Sequence, residues 1–484
     1  MAENVLAGLK PEGLWRHFDE ISRLPRCSKN EERVREHIVI FAKERGLECQ
    51  VDPAGNVVVR KPAHPLHRNG PMVVVQGHLD MVCEKNQETA HDFAKEAIAL
   101  ARDGEWLHAR GTTLGADNGI AVAAALALLS DDSIEHPPLE ALFTVDEESG
   151  LIGASKLDPE LIRGRILLNL DSEEEGIFYV GCAGGQNTEG WFPVQRESAG
   201  SGVAATIAVK GLRGGHSGSE IHEGRGNAVA LGARLLWRAA AKVPFRLYEL
   251  SGGGLHNAIP REFFAKALVP ADRVSLLTQM AGELERHFKL ELGDIEPALS
   301  LSVAVNGEKP QRVLTAASTQ RVLDTLYAMP HGVVAMSRKI PGLVETSTNL
   351  AAVHLEGEEV HLLTSQRSTY ASSRDDLADR VTAVVRSAGG RTVYSGVYPS
   401  WPPDPDSSLV RTCREVYRRQ AGREPQVKAI HAGLECGVIG EKYPGIKMIS
   451  FGPDIRGAHT PEERVNVPST ERFFNFLIEV LRSL

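Results

Sequence analysis

Between residues 14 and 176, continuous runs of apolar residues alternate with segments in which apolar residues recur at helical spacing. Apolar positions recur at helical spacing over 14–46, and PMVVVQGHLD (71–80) is a β-branched run typical of a strand buried on both faces. The segment 115–130 predicts a loop that leads into a buried helix, while 139–150 and 165–176 predict two more apolar strands. Strands that alternate with helices indicate an α/β domain with a mixed, largely parallel sheet.

The pattern changes near residue 187, after which the apolar and polar positions of the strands alternate. A strand is predicted over 203–211, and helices are predicted over 227–241 and 275–288. A similar order follows: a strand over 298–307, a helix over 313–328, a strand pair over 349–368 and a helix over 374–388. This recurrence predicts an α+β region of two halves, about 188–295 and 296–397, and favours an internal duplication.

The α/β pattern returns after the Pro-rich stretch YPSWPPDPDSS (398–408), which we interpret as a linker. Helices are predicted near 408–421 and 470–483, with the strand IKMISFG (446–452) between them. At 484 residues the chain is long enough for two to four domains.

Composition and charge narrow the classes of partner. The chain carries 54 basic and 63 acidic side chains, a formal charge of −9 without a basic stripe, which argues against nucleic acid and anionic membrane. The longest helical apolar run, Ile120–Leu129, is too short for a membrane span, and the first 15 residues contain no secretory signal. The six cysteines form no C-x-x-C pair, so we expect reduced, mostly buried thiols in a cytoplasmic protein.

Acidic and imidazole side chains cluster where the predicted buried elements begin or end. His78 and Asp80 end one strand, Asp117 and Asn118 start the buried helix, and acidic residues end the next two strands, at 146–148 and at Asp171. Ligands bind at the carboxyl ends of strands in open α/β sheets. Buried carboxylates need cations or donors nearby, and no Lys or Arg is interleaved with these clusters. The pattern therefore predicts a metal centre.

Several motifs resemble those of one enzyme family. They are GHLDMV, GTTLGADNGIA, FTVDEESG, NLDSEEEG, GGHSG, HNAIPRE, HAGLECG and GAHTPEERV. In this order they resemble the cytosolic aminoacyl-histidine dipeptidases (peptidase D or Xaa-His dipeptidases). These belong to the dizinc superfamily that includes aminoacylase, carnosinase and glutamate carboxypeptidase. The resemblance extends from the N-terminal helices to the C-terminus.

The resemblance implies a dizinc centre, in which Co²⁺ or Mn²⁺ can replace Zn²⁺. His78 and Asp171 would bind one zinc, Glu148 and His459 the other, and Asp117 would bridge both. With a shared water, each metal then has the four ligands that zinc prefers.

The resemblance also implies roles for the neighbours of these ligands. Glu147 would be the general base that takes the proton of the attacking water, and Asp80 would orient His78. Asp146 is interpreted as structural, and the Asp117–Asn118 peptide bond is expected to be cis.

The implied ligands leave a long gap between Asp171 and His459. We therefore expect a discontinuous catalytic domain, 1–187 with 398–484, and an inserted lid domain, 188–397. By resemblance, His216 in the lid would stabilise the tetrahedral oxyanion, and Arg367 would bind the C-terminal carboxylate of a dipeptide in bidentate fashion.

Two asparagines compete for the anchor of the scissile carbonyl. Asn257 matches the family's Asn-x-Ile-Pro pattern, whereas Asn349 lies on the Arg367 side of the suspected duplication. The backbone of Gly433, in HAGLECG, is expected to contribute donors to the substrate. The histidines 222, 256 and 331 are expected to have ordinary surface or turn roles.

The leading hypothesis is a zinc-dependent cytosolic dipeptidase that hydrolyses unblocked dipeptides, with Xaa-His substrates such as β-alanyl-histidine implied by the resemblance. The alternative on the same centre is an N-acyl amino acid amidohydrolase or a tripeptidase. A zinc-binding protein without activity is disfavoured because Glu147 is intact. A two-metal phosphoesterase is disfavoured because no basic cluster accompanies the ligands. A homodimer formed through the lid is compatible with the sequence.

Overall fold

The computed structural model of the protein describes residues 5–484, which divide into two compact units. The first unit consists of residues 5–182, Trp401–Ala429 and Leu434–Leu484. The second consists of Ala183–Ser400 and Ile430–Gly433. The chain returns to the first unit at Trp401, inside the Pro-rich segment 398–408.

The helices and strands follow one another in the order below. Up to residue 182 they are α1 (Glu12–Ser22), α2 (Glu32–Glu44), β1 (Glu48–Val51), β2 (Val57–Lys61), β3 (Val73–His78), β4 (Leu100–Asp103), β5 (Trp106–Ala109), α3 (Ala116–Ser130), β6 (Leu139–Thr144), α4 (Ile152–Ser155), β7 (Ile166–Asn169) and β8 (Ile177–Cys182).

From residue 184 to residue 398 they are β9 (Gly184–Pro193), β10 (Arg196–Ser198), β11 (Val203–Lys210), α5 (Ala228–Ala240), β12 (Arg246–Gly253), β13 (Phe263–Val269), α6 (Val274–Leu292), β14 (Ser300–Asn306), β15 (Arg312–Leu314), α7 (Ala316–Ala328), β16 (Gly332–Met336), β17 (Val344–Glu356), β18 (Glu359–Ser368), α8 (Ala371–Ser387) and β19 (Arg391–Tyr398). The last elements are α9 (Ser408–Ala421), β20 (Gln426–Ile430), α10 (Glu435–Lys442), β21 (Lys447–Ser450), β22 (Ile455–Arg456), β23 (Arg464–Asn466) and α11 (Val467–Arg482).

An eight-stranded sheet in the order β1-β2-β6-β3-β7-β21-β8-β20 organises the first unit. Its four central strands, β6, β3, β7 and β21, are parallel, whereas β2 runs antiparallel to β6 and β8 runs antiparallel to β21. The prediction of a mixed sheet is therefore confirmed. Because β3, β6 and β7 are parallel and in register, their carboxyl ends lie at one edge of the sheet.

Helix α3 is the buried helix predicted over 115–130, and it packs directly on β3. Residues Ile120–Leu129 are all buried, so the helix contacts the core on every face. A Cβ atom on Gly77 would lie 2.4 Å from Asn118 Oδ1 and 2.7 Å from the Cβ of Ala121. Only glycine permits this close approach, which sets the start of α3 beside the end of β3.

A nine-stranded sheet organises the second unit, with strands in the order β14-β11-β13-β12-β17-β18-β9-β19 and β16 paired with β17. The order strand, helix, strand, strand, helix occurs twice, as β11-α5-β12-β13-α6 and, with β15 and β16 interspersed, as β14-α7-β17-β18-α8. The halves interleave in the sheet, because β14 pairs with β11 and β9 pairs with β18. This order agrees with the recurrence in the sequence.

Most predicted elements are present with small shifts of their ends. The helix expected over 408–421 coincides with α9, and the pair expected over 349–368 forms β17 and β18, although β17 already begins at Val344. Sequence reasoning did not predict several of the elements, among them β8, β9 and α10. Among the described residues, no helix has both the length and the apolar character that crossing a membrane requires.

The expectation of six reduced thiols is wrong for Cys27 and Cys83, which form a disulfide. The loop after α1 runs beside the segment that follows β3, with a bridge between Cys27 and Met81. The two Cα atoms are therefore 5.7 Å apart, within the range that a disulfide spans. The remaining four cysteines are free thiols, and three of them are buried.

Candidate active site

The first unit gathers seven of the predicted site residues at the carboxyl edge of its sheet. They are His78, Asp80, Asp117, Glu147, Glu148, Asp171 and His459. Three follow or end strands β3 and β7, two lie in the loop after β6, one lies in the first turn of α3, and one lies between β22 and β23. The shared edge of the parallel strands thus explains why most of these residues lie together, and the loop between β22 and β23 adds His459.

Asp117 lies between two sets of potential metal ligands. Its Oδ1 atom is 3.1 Å from Nε2 of His78, which is itself 3.3 Å from Oδ1 of Asp171. Its Oδ2 atom is 3.2 Å from Nε2 of His459, which is 3.0 Å from Oε1 of Glu148. Each Asp117 oxygen therefore belongs to a separate triad of one imidazole and two carboxylates.

Both triads have the dimensions of a divalent metal site. Bonds of about 2.0–2.1 Å in a tetrahedron place neighbouring ligand atoms about 3.3 Å apart, close to the distances in both triads. Oε1 of Glu148 and Oδ1 of Asp171 are buried, and apart from the imidazole nitrogens 3.0 and 3.3 Å away they have no hydrogen-bond partner among the described residues. Buried carboxylate oxygens with so few partners are costly, and a cation would satisfy them. The residues present therefore fit a two-metal centre.

Asp80 is fully buried and holds three parts of the site together. Its Oδ1 atom lies 3.3 Å from Nδ1 of His78, on the opposite side of the ring from Asp117. Its carboxylate also accepts hydrogen bonds from the backbone N–H groups of Glu147 and Glu148 and from the Ser28 hydroxyl. Burial alone would raise the pKa of Asp80, but these partners outweigh it and lower the pKa to about 2. Such a carboxylate suits the predicted orientation of His78.

Several carboxyl groups of the site have raised pKa values because they are buried beside one another. Burial, with Asp117 and Glu148 nearby, raises the pKa of Asp171 to about 6 despite its contact with His78. Burial, together with Asp171, Glu435 and Glu148, raises the pKa of Glu147 well above its usual value. This accumulation of negative charge would favour the binding of divalent cations.

Asn118 connects two of the ligand-bearing segments through its side chain. Its Oδ1 atom accepts a hydrogen bond from the backbone N–H of His78, and its Nδ2 donates to the carbonyl of Leu170. The peptide bond between Asp117 and Asn118 is cis, as predicted. Sequence reasoning placed Asn118 only at the start of the helix and did not predict these contacts.

A buried polar network lies behind the ligands and was also missed. Glu435, the first residue of α10, accepts hydrogen bonds from Nε2 of Gln76 at 2.6 Å and from the hydroxyl of Thr144 at 2.8 Å. Gln76 in turn accepts a hydrogen bond from Nδ2 of Asn169. The network thus joins β3, β6 and β7 just before the residues that carry the site. Only the motif HAGLECG signalled Glu435 in the sequence.

In the second unit, the local contacts of His216 fix which ring nitrogen carries the proton. Its Nδ1 atom accepts hydrogen bonds from the backbone N–H groups of Gly218 and Ser219, at 3.2 and 3.1 Å. The neutral ring therefore carries its proton on Nε2, which is a donor. Burial and the charge of Arg367 lower the pKa of His216, so the ring is neutral near pH 7.

Arg367 lies beside His216 within the same unit. A Cβ atom on Gly218 would lie 2.9 Å from Cε1 of His216 and 3.0 Å from Nη1 of Arg367. Arg367 is buried, donates from Nη1 to the Tyr398 hydroxyl at 2.8 Å, and leaves its Nε without a partner. The predicted oxyanion donor and the predicted carboxylate-binding group are therefore neighbours.

The two candidate asparagines have different surroundings. Asn349 is buried, and its Nδ2 donates to the backbone carbonyls of His256 and Ala258, on either side of Asn257. Its donor group is therefore already used to hold this loop. The side chain of Asn257 is only half-buried, as is Gly433. Asn349 thus supports the loop that carries Asn257, and the choice of substrate anchor between the two asparagines stays a prediction.

His431 provides a prediction about stability and pH. It is 6% exposed, and its Nε2 lies 2.7 Å from the Ser347 hydroxyl. Burial, helped by the charge of Arg367, lowers the pKa of His431 to about 3. Below the ordinary histidine pKa of about 6.5, the unfolded chain takes up a proton that the folded protein excludes. Stability should therefore fall as pH decreases from 7 to 5, by about 2 kcal/mol from this residue.

The test compares wild type with His431→Gln, which cannot titrate. Thermal unfolding of both proteins between pH 5 and 7 should show that the stability of wild type relative to the variant decreases as the pH falls. A difference that stays constant with pH would contradict the prediction, whatever its size at pH 7.

Comparison with known proteins agrees with the fold. The profile of peptidase family M20/M25/M40 matches residues 74–483. The chain is 41% identical to the cytosol non-specific dipeptidase of Escherichia coli (strain K12) over 481 residues, 99% of each chain.

Solved structures extend the comparison. The crystal structure of aminoacylhistidine dipeptidase from Vibrio alginolyticus superposes with a TM-score of 0.96 at 40% identity, over 100% of this chain and 98% of that one. Aminopeptidase PepT from Bacillus cereus, at 16% identity over 98% of this chain and 99% of that one, has a TM-score of 0.56 and shares the fold. The chain therefore belongs to peptidase family M20/M25/M40, whose members are metallopeptidases that hydrolyse peptide bonds.

Proposed function

We propose that the protein is a metallo-dipeptidase that hydrolyses unblocked dipeptides, including Xaa-His dipeptides such as β-alanyl-histidine. The observation that carries the proposal is the pair of ligand triads that share Asp117. Support for the substrate class comes from the similarity to a dipeptidase over 99% of both chains and from the similarity to an aminoacylhistidine dipeptidase structure.

Five residues would hold two divalent metals, Zn²⁺ or, in its place, Co²⁺ or Mn²⁺. These are His78, Asp117, Glu148, Asp171 and His459. Bound metals would supply Lewis acidity and lower the pKa of a water molecule. The charge of the three carboxylates suits two dications, and Asp80, 3.3 Å from Nδ1 of His78, would orient that imidazole.

The remaining residues would move the proton and bind the substrate. Glu147 would accept the proton of the attacking water and deliver it to the leaving amine. His216, as a neutral Nε2–H donor, would stabilise the developing oxyanion, and Arg367 would bind the C-terminal carboxylate. The roles of Asn257 and Gly433 in substrate binding, and of residues 188–397 as a lid, stay predictions.

The deciding experiment compares three substrates of matched sequence with the metal-loaded protein. These are β-alanyl-histidine, its N-acetyl derivative, and a tripeptide that begins with the same two residues. A dipeptidase should have a kcat/KM for the free dipeptide that is at least about 100-fold higher than for the other two. Preference for the acetylated compound would indicate an amidohydrolase, and preference for the tripeptide would indicate a tripeptidase. Replacing histidine by leucine in the dipeptide would measure the preference for Xaa-His.

We also propose a cytoplasmic location and a homodimer. The location is supported by the relative described as a cytosol dipeptidase. Cell fractionation and light scattering of the purified protein would test the two statements separately.

A further inference from the structure

The loop that leads to Asp117 rests on the carboxylate of Glu463. Oε2 of Glu463 accepts hydrogen bonds from the backbone N–H groups of Leu114 and Gly115, at 2.7 and 2.8 Å. Its Oε1 accepts a third from the N–H of Asp117 at 3.1 Å. Glu463 is 2% exposed, so its carboxylate is largely shielded from water. A single carboxylate thus holds the backbone of the loop that ends at Asp117.

Arg26 holds the same loop through its carbonyl groups. Its Nη2 donates to the carbonyl of Gly115, whose N–H is bound by Glu463. Its Nη1 donates to the carbonyls of Leu79 and Asp80, both at 3.1 Å. Arg26 is also 2% exposed. One guanidinium therefore ties the loop of Asp117 to the segment that follows His78.

The packing around Arg26 leaves little freedom for the loop to shift. A Cβ atom on Gly115 would lie 2.4 Å from Nη2 of Arg26, and one on Gly119 would lie 2.6 Å from the same atom. Gly115 also has a φ of +70°, which favours glycine. The guanidinium is thus enclosed by backbone on both sides of Asp117.

These contacts link all three segments that converge on Asp117. Arg26 joins its loop to the segment of His78, and Glu463 joins it to the C-terminal segment that carries His459 four residues earlier. Because Oδ1 and Oδ2 of Asp117 belong to different triads, a small rotation of this loop would alter both.

We propose that Glu463 and Arg26 are positioning residues that set the direction of the two Asp117 oxygens and thereby the affinity of both metal sites. The inference rests on the proposed role of Asp117 as a bridge between two metals. Neither residue is a metal ligand, and neither acts on the substrate.

Glu463→Gln is the sharpest variant, because it preserves shape but removes one acceptor oxygen. Whichever way the amide turns, its NH₂ group faces at least one backbone N–H. Glu140→Gln is the matched control. Glu140 is fully buried and accepts from the N–H groups of Arg163 and Gly164 and from Arg60, but it lies at the opposite end of β6 from the ligands.

The measurement is Co²⁺ affinity by competition with a chromophoric chelator, together with the visible absorption spectrum of the Co²⁺-loaded protein. We expect Glu463→Gln to weaken Co²⁺ binding by roughly 10–100-fold and to change the spectrum at saturation. Glu140→Gln should leave both unchanged, even if its melting temperature decreases. Arg26→Lys keeps the charge but cannot reach three carbonyls, and it should also weaken Co²⁺ binding and alter the spectrum, which provides a test if Glu463→Gln does not fold.

Unchanged Co²⁺ affinity and spectrum in a folded Glu463→Gln or Arg26→Lys protein would overturn the inference, because a lower melting temperature alone indicates a structural role. Failure of the proposed function has a different signature. Wild-type protein would then bind fewer than two Co²⁺ ions, and the inference would fall with it.

Discussion

Glu147→Gln is expected to reduce kcat for a dipeptide by roughly 10²–10⁴-fold while both metals stay bound. Glu147 belongs to neither triad around Asp117, although its carboxyl group lies near His78 and Glu148. Glutamine keeps the size of the side chain and cannot accept the proton of the attacking water. The loss should therefore appear in kcat, with little change in KM.

The electrostatic surroundings of Glu147 support its proposed role in proton transfer. Burial raises the pKa of its carboxyl group well above the usual value, and the nearby charges of Asp171, Glu435 and Glu148 add to this. A carboxylate with a raised pKa accepts a proton more readily and can hold it until the amine leaves. Its backbone is fixed by the hydrogen bond from its N–H to Asp80.

Asp146→Asn is the matched control for this experiment. It changes the preceding residue in the same loop, and asparagine tolerates the φ of 52° found there. Steady-state kinetics and elemental analysis of both variants would separate proton transfer from metal loss. Turnover near that of wild type in a fully metallated Glu147→Gln protein would eliminate Glu147 as the base, and loss of metal would make it a ligand instead.

The part of the site carried by strands was accessible to sequence reasoning. His78, Asp171 and the 146–148 cluster follow apolar runs, and parallel strands that end at one edge bring such residues together. His459 follows no such rule, because it lies in a loop between two short strands, and only the resemblance of GAHTPEERV to a family motif indicated it.

The contacts that support the site could not be predicted from the sequence. Arg26 and Glu463 act on backbone N–H and carbonyl groups of distant segments, and such contacts leave no pattern in residue type or spacing. The disulfide could not be predicted for the same reason. Cys27 and Cys83 are 56 residues apart in the sequence and meet only because two loops run side by side in the fold. No basic residue is close to these carboxylates in the sequence, as expected. In the folded protein, however, Arg26 lies next to Asp80 and donates to its backbone carbonyl.

Asp117→Asn is expected to reduce bound metal from two ions to one or none and to lower kcat on the order of a thousandfold or more. The two Asp117 oxygens are within 3.1 and 3.2 Å of imidazole nitrogens in different triads. Asparagine has one oxygen, so it can complete only one triad, and its NH₂ group would face the other. Loss of a metal removes several kcal/mol of transition-state stabilisation, which corresponds to that factor in rate.

Asp171→Asn is the matched comparison, because the Asp171 side chain is shielded to a similar degree as that of Asp117, at 9% against 11% exposure, but it contacts only one of the two imidazoles, that of His78. We expect it to weaken one site and leave the other near wild-type affinity, so that excess Zn²⁺ restores part of its activity. Asp117→Asn should not recover, since added metal cannot replace a bridging oxygen. Competition titration with a chromophoric chelator would count the sites in each variant. Two wild-type sites in Asp117→Asn would show that the two metals do not depend on this carboxylate, and the shared-ligand arrangement would have to be abandoned.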